Sequence, residues 1–154
     1  MTTQTPPPKF CVNLHHVSLK VANLNEAYER YCLLLGLHGE LSDEMALLRC
    51  MHEDYCVILQ PCGPNDKPSL DYVAYELALG LSLAESQNIL TARGAAYEVI
   101  DVPVNSKGLL LNDPDGNRVV LIERRIPTDR RPPIMIPTTT LKGYHPRRLG
   151  HMNY

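Results

Sequence analysis

This chain of 154 residues contains two pairs of side chains that can do chemistry, and the two members of each pair are separated by the same number of residues. His16 and Tyr72 lie 56 positions apart, and so do Lys20 and Glu76. An imidazole can bind a divalent metal or transfer a proton, and a lysine beside a glutamate can serve acid–base catalysis. Because Lys20 and Glu76 stand at equivalent positions of two similar segments, we expect them to form a cross-strand pair rather than a catalytic one.

The five cysteines suggest a metal site at one place only. Cys50, His52 and Cys56 are close enough in sequence to hold zinc, but no pair of cysteines has C-x-x-C spacing. The odd number of cysteines, together with a first segment that lacks the apolar core of a signal peptide, disfavours a disulfide framework. We therefore interpret these cysteines as buried thiols.

The chain divides into two similar halves that must position these side chains. In the first half, alternating apolar and polar residues from 14 to 21 predict a half-buried strand. A helix follows, with Asn25 as its N-cap and Gly36 at its end. Its apolar face is formed by Leu24, Tyr28, Tyr31 and Leu35. Short strands are expected at 45–49 and 55–60, and the remaining strand of this half is poorly marked.

The second half repeats this order. Residues 72–77 alternate as a strand, and Ser82 with Glu85 forms the capping-box pattern at the start of a helix. The helix is expected to end at Arg93, before Gly94. Three further strands are expected at 97–102, 109–112 and 118–123. A D-P-D-G-N turn at 113–117 precedes the last of these strands.

We therefore predict an α+β fold of two βαβββ modules, residues 14–61 and 71–124, because an internal repeat of this kind decides the fold class. The strands are expected to form one curved, cup-shaped mixed sheet with both helices outside. Alternation places one apolar set under the helices: Val17, Leu19, Val57, Leu59, Val73, Tyr75, Leu77, Val119 and Leu121. The opposite, mixed set suits a partly solvated cup: His16, Ser18, Lys20, Cys56, Ile58, Gln60, Tyr72, Ala74, Glu76, Arg118, Val120 and Ile122.

The composition is that of a soluble globular protein. Hydrophobic residues make up 44% and charged residues 21%, and no apolar run is long enough to span a membrane. The net charge of -2 gives no general attraction to nucleic acid or to anionic membranes. We expect a cytoplasmic protein without nucleic-acid or membrane partners.

The repeated pattern resembles the vicinal oxygen chelate superfamily, which includes glyoxalase I, bleomycin-resistance proteins and type I extradiol ring-cleaving dioxygenases. The likeness is carried by the strand at 16–21, the helix that ends in L-G-L at 35–37, and N-D-P-D-G-N at 112–117 before an apolar strand. It covers about residues 12–125, with a flexible N-terminal arm at 1–11. Members of the superfamily can hold a metal at four inward positions, which correspond here to His16, Ile58, Tyr72 and Val120. Only the first is a typical ligand, so the resemblance implies that this site is empty.

The end of the chain points to one branch of this superfamily. Residues 126–148 are rich in proline and arginine, and 149–154 read L-G-H-M-N-Y, which repeats the shape of the strand at His16. This resembles the two-domain extradiol dioxygenases, in which such a linker leads into the catalytic domain. His151 matches the first iron ligand of that domain, and it would be functional only in a longer chain. Two of the three ligands would then lie beyond residue 154.

The resemblance therefore implies the N-terminal, non-metal-binding domain of an extradiol dioxygenase. The full-length enzyme would use Fe(II), or Mn(II) in some members, together with O2 to cleave a catechol, and it would form a homo-oligomer. This chain alone is expected to be inactive. One alternative is a complete, metal-free small-molecule-binding protein of the bleomycin-resistance type. Another is a glyoxalase-type metal isomerase or lyase, which the residues at Ile58, Tyr72 and Val120 disfavour.

Overall fold

The computed structural model describes residues 10–50, 55–103 and 106–124, and these form an α+β fold. The first half contains β1 (Cys11–Val21), α1 (Leu24–Leu35), β2 (His38–Leu41), β3 (Ala46–Arg49) and β4 (Val57–Pro61). The second half contains β5 (Ser69–Leu77), α2 (Leu83–Ala92), β6 (Glu98–Val102), β7 (Ser106–Asn112) and β8 (Arg118–Ile122). Within the described ranges, neither helix is long and apolar enough to cross a membrane.

The described strands form one mixed, open sheet of eight strands. Their order is β2-β3-β4-β1-β5-β8-β7-β6, so β1 and β5 lie side by side at the centre and each half extends outward from them. These two strands are antiparallel to each other, whereas β1 pairs with β4 and β5 pairs with β8 in parallel. The parallel pairs require long crossover connections, which explains why a helix follows each central strand.

The register repeats between the two halves. Val17 pairs with Val57 in the first half, and Val73 pairs with Val119 in the second. Val17 also pairs directly with Val73 across the central ladder. The repeat seen in the sequence is therefore present in the strand pairing, with these two valines at its centre.

The N-cap of helix α1 lies two residues earlier than the sequence predicts. Asn23, not Asn25, is the N-cap, and its side chain accepts a hydrogen bond from the backbone N–H of Glu26 at 3.1 Å. The prediction of Asn25 was wrong because either asparagine can cap and only the extended backbone of Asn23 brings its oxygen to that N–H. Gly36 ends the helix in the left-handed conformation, as predicted.

The apolar face of α1 is shorter than predicted. Leu24 is buried, and Tyr28 and Tyr31 pack against the core beneath the helix. Leu35 does not, because it lies at the last turn and keeps 40% of its surface exposed. The capping box of α2 is confirmed, since the Ser82 side chain accepts from the backbone of Glu85 and the Glu85 carboxylate accepts from the backbone of Ser82.

The apolar set predicted by alternation packs with the helices. Val17, Val57 and Val73 share one buried cluster with residues of α1, and Leu77 and Leu121 share another with Leu90 of α2. Cys56 is an exception, because it lies in the cluster under α1 rather than on the opposite face. It precedes β4, where regular alternation does not apply.

One strand was not located from the sequence. Strand β2 has four residues at the edge of the sheet, and its side chains are half-buried or exposed. It therefore lacks the alternation that marks a buried strand. The other strands lie within a few residues of their predicted positions. At the D-P-D-G-N turn, the Asp113 carboxylate accepts hydrogen bonds from the backbone N–H groups of Asp115 and Asn117.

Candidate functional site

The four positions that correspond to the superfamily's metal site lie on the sheet face opposite the helices. His16, Ile58 and Val120 are fully buried, and Tyr72 is nearly so. The ladders bring them together, because Ser18 pairs with both Ile58 and Tyr72. Ala74 likewise pairs with both His16 and Val120. The side chains of His16 and Tyr72 are in contact, with 3.3 Å between Nε2 and Oη.

Two further rings complete a cluster around His16. His15 Nδ1 lies 2.8 Å from His16 Nδ1, and the rings of the two histidines meet edge to face. Tyr55 packs against both, with its ring centre 5.0 Å from that of His15 and 4.9 Å from that of His16. We call His15, His16, Tyr55 and Tyr72 the His16 cluster.

The sequence did not indicate His15 and Tyr55 as members of this cluster. Strict alternation places neighbouring residues on opposite faces, so His15 was expected to point away from His16. The register of β1 against β5 shifts between Leu14 and His16, and this irregularity allows the adjacent histidines to meet. Tyr55 was expected to begin a strand at 55–60, but β4 begins at Val57, so the alternation of that strand does not place the Tyr55 side chain.

Both titratable groups at the centre of the cluster are held neutral. Burial, with a smaller contribution from neighbouring His15, lowers the pKa of His16 from 6.5 to about 3. Burial also raises the pKa of Tyr72 well above its usual value, and nearby Tyr55 and Asp71 act in the same direction. At neutral pH the pair is therefore an uncharged imidazole beside a protonated phenol.

This donor set does not fit an Fe(II) centre. Divalent metals in catalytic sites take at least three protein ligands, and the four positions supply one imidazole and one phenol, since Ile58 and Val120 are hydrocarbon. Tyr72 would also have to lose its proton in surroundings that favour the neutral form. Among the residues the structure describes, no three His, Cys, Asp or Glu side chains are grouped to hold a metal.

An open cleft of about 480 Å³ lies beside the cluster. Its wall is part apolar and part polar, and it is formed by Lys20, Met45, Gln60, Asp71, Tyr72, Ile100, Asp101, Val102, Pro103 and Arg118. Arg118 forms an ion pair with Asp71, whose other oxygen accepts from Ser18 Oγ at 3.1 Å. Lys20 Nζ donates to the neutral Gln60 Oε1 at 2.5 Å.

The predicted pair of Lys20 and Glu76 does not form. Lys20 pairs with Ser69 at one end of the β1–β5 ladder, and Glu76 pairs with Asn13 near the other. The prediction was wrong because the two strands are antiparallel, which places equivalent residues at opposite ends. Glu76 instead accepts from Asn13 Nδ2 at 2.9 Å and lies 3.6 Å from Arg124 Nε.

The remaining predicted ligands lie outside the described residues. These are His151, the candidate iron ligand, and His52, the third member of the possible zinc site. The segments 126–148 and 149–154 lie outside them as well.

The comparisons with known proteins bear on the fold. No protein-family model matches the chain, and no curated protein matches it. Among solved structures, the 2,3-dioxygenase LapB from Pseudomonas sp. KL28 is 18% identical with a TM-score of 0.71, over 92% of this chain and 52% of that one. This chain therefore shares its fold with about half of that 2,3-dioxygenase.

Two other solved structures agree. Homoprotocatechuate 2,3-dioxygenase from Arthrobacter globiformis is 19% identical with a TM-score of 0.67, over 80% of this chain and 39% of that one. A catechol 2,3-dioxygenase is 22% identical with a TM-score of 0.60, over 74% of this chain and 42% of that one. The chain thus spans about half, or less, of the length of these enzymes. At such low identity the likeness establishes the fold.

Proposed function

We propose that this chain is the N-terminal, non-metal-binding domain of a two-domain extradiol ring-cleaving dioxygenase. The observation that supports this most strongly is the unequal coverage of the match with LapB, which takes in 92% of this chain but 52% of that enzyme. A domain that matches one half of a longer enzyme is best explained as the corresponding half of a similar protein.

In this proposal the two βαβββ modules form a cup that no longer holds a metal. Residues 12–125 make up the domain, 126–148 form a linker, and 149–154 begin the catalytic domain. His151 is the first ligand of Fe(II), or of Mn(II), and the other two ligands lie in the catalytic domain. The metal would supply coordination sites at which the two adjacent oxygens of a catechol and O2 can meet.

The residues at the four positions of the superfamily's metal site support a structural role for this domain. Ile58 and Val120 place buried hydrocarbon side chains at the positions where a metal-binding relative would have ligands. His16 and Tyr72 satisfy each other with a hydrogen bond while both remain neutral. We propose that this domain contributes to the assembly of a cytoplasmic homo-oligomer without nucleic-acid or membrane partners.

The cleft beside the cluster favours a second candidate function. Its volume of about 480 Å³ lies within the range of small-molecule sites, and its wall combines apolar and hydrogen-bonding groups. A metal-free protein of the bleomycin-resistance type would use such a cleft to hold a small aromatic ligand.

The reading frame downstream of residue 154 separates the two functions. For the dioxygenase, we expect a longer polypeptide that cleaves catechol to a yellow product when supplied with Fe(II). His151→Ala should abolish this activity, whereas His16→Ala, the matched control in the first domain, should retain it per folded molecule. A longer polypeptide that keeps wild-type activity with His151→Ala would contradict the proposal, as would cleavage by the 154-residue chain alone.

A further inference from the structure

Two of the cysteines are in direct contact beneath helix α1. Cys50 Sγ lies 2.8 Å from Cys56 Sγ, and both residues belong to the buried cluster that packs under the helix. The backbone holds Cys56 in place, because its N–H donates to the Leu48 carbonyl at 2.7 Å and its carbonyl accepts from the N–H of Val17 at 3.0 Å. The pair is therefore positioned by the β3–β4 and β1–β4 ladders.

We propose that Cys50 and Cys56 form an intramolecular disulfide by exchange with a low-molecular-weight disulfide. One cysteine thiolate attacks the external disulfide, forms a mixed disulfide and releases one small thiol. The second cysteine attacks the mixed disulfide at the protein sulfur and releases the other. The external disulfide is thus reduced to two thiols while the two cysteines are oxidised. A protein disulfide spans about 2.05 Å between sulfurs, so the two atoms must approach by less than about 1 Å.

The geometry favours a disulfide over a shared zinc ion. Two thiolates on one tetrahedral zinc stand about 3.8 Å apart, given a Zn–S distance of about 2.3 Å. Cys50 and Cys56 are closer than this, and the described residues contain no group of three His, Cys, Asp or Glu side chains that could hold a metal ion.

The other cysteines provide internal references. Cys11, Cys32 and Cys62 are all half-buried, and none of them takes part in the contact between Cys50 and Cys56. Oxidation should therefore consume two of the five thiols and leave three.

The bond would act on the His16 cluster through Tyr55. That residue directly precedes Cys56, and its ring packs against both His15 and His16. Oxidation should consequently shift the NMR signals of the His16 ring. Both sulfurs are shielded from solvent, so exchange should be slow in the folded protein and much faster during refolding from urea.

The test is to refold the reduced chain with excess oxidised glutathione, alkylate the remaining thiols and measure the mass. We expect the loss of two hydrogens and three alkylated cysteines. After cleavage at the aspartates, which include Asp54 between the two cysteines, the piece with Cys50 and the piece with Cys56 should stay joined until a reductant is added. Cys62→Ala, the matched control, should behave in the same way. Cys50→Ala and Cys56→Ala should retain all four of their remaining thiols.

Three results would overturn the proposal. The first is alkylation of all five cysteines after refolding with oxidised glutathione. The second is glutathione retained on Cys50 or Cys56 in place of the internal bond. The third is a loss of two thiols that persists in Cys56→Ala, since this would place the bond elsewhere. The joined pieces are measured in the wild-type chain, so the test holds even where a buried alanine variant folds poorly.

Discussion

His16 is a titratable group kept without charge in the interior of the sheet. Its ring contacts His15, Tyr55 and Tyr72, and none of these neighbours carries a negative charge that could stabilise an imidazolium. Protonation of His16 in the folded state is therefore unfavourable, whereas in the unfolded chain the same imidazole is solvated. This difference links the stability of the domain to pH.

We predict that the free energy of unfolding decreases as the pH falls through the range between the two pKa values of His16. The unfolded chain takes up a proton below about pH 6.5, and the folded domain resists protonation until about pH 3. Above about pH 6.5, His16 is neutral in both states and does not lower the free energy of unfolding. Below that pH, the free energy of unfolding should fall by about 1.4 kcal/mol per pH unit. Urea unfolding between neutral pH and pH 4 measures this slope.

Two variants assign the slope to the imidazole. His16→Gln keeps a polar group but cannot titrate, so it should lose this part of the pH dependence. Tyr72→Phe removes the hydrogen-bond partner but leaves His16 buried, so it should keep the slope at a lower overall stability. An unchanged slope in His16→Gln would show that another group is responsible.

At the scale of the elements, the two asparagines near the start of α1 make a matched pair. We predict that Asn23→Ala lowers the free energy of unfolding by about 1 kcal/mol, because the backbone N–H of Glu26 loses its acceptor. Asn25→Ala should be neutral or slightly stabilising, since Asn25 is exposed within the helix, where alanine is preferred. Denaturant unfolding of the two variants checks this, and an equal loss in both would argue against Asn23 as the cap.

Gly108 in β7 leaves space for a residue of the candidate site. A Cβ at this position would lie 2.6 Å from Val120 Cγ1, so we predict that Gly108→Ala lowers the free energy of unfolding by about 1–3 kcal/mol. Val120→Ala removes the atom that clashes. The double variant should therefore be more stable than the sum of the single effects predicts, by about 1 kcal/mol or more.

Gly39 in β2 provides the control for this comparison of single and double variants. A Cβ there would lie 2.0 Å from the backbone oxygen of Leu47, which no side-chain truncation can remove. Gly39→Ala should be destabilising, and Leu47→Ala should not relieve the effect. Additivity at Gly108 and Val120, measured in the same way, would contradict the assigned contact.

Periodicity and turn chemistry predicted the elements wherever local sequence decides structure. The central strands, the capping box at Ser82 and the turn at Asp113 follow from residues within a few positions of one another. Strand β2 could not be predicted in this way, because its formation depends on pairing with β3 and on a hydrogen bond from Tyr28 Oη to the Gly39 carbonyl.

The candidate site was predicted less completely than the fold. Alternation together with the family resemblance placed His16, Ile58, Tyr72 and Val120 on one face of the sheet. That face was expected to be a partly solvated cup, whereas the structure buries all four residues. The contact of His15 with His16 depends on a shift in strand register, and the contact of Cys50 with Cys56 depends on a break in alternation before β4. Such irregularities are set by tertiary packing, and a period of two cannot reveal them.

At the scale of the whole molecule, the two halves are joined through the long ladder between β1 and β5. Val73 of the second half lies in the same buried cluster as Val17 and Leu48 of the first. Neither half can lose its central strand without exposing core residues of the other. We therefore predict that the described part of the chain unfolds as one cooperative unit.

Hydrogen exchange tests this prediction. Leu48→Ala in β3 creates a cavity in the first half and should lower the free energy of opening by about 2–5 kcal/mol. We expect the same decrease at amides of β4 in the first half and of β8 in the second. A decrease confined to β4 would show that the halves open independently.

The central position of β1 has a consequence for synthesis on the ribosome. This strand leaves the ribosome before both of its neighbours, because β4 ends at residue 61 and β5 at residue 77. At about 5–20 residues per second, β1 remains unpaired for several seconds, with two free edges that can bind another nascent chain. A strand at the centre of the finished sheet is therefore the one that waits longest for its first partner during synthesis.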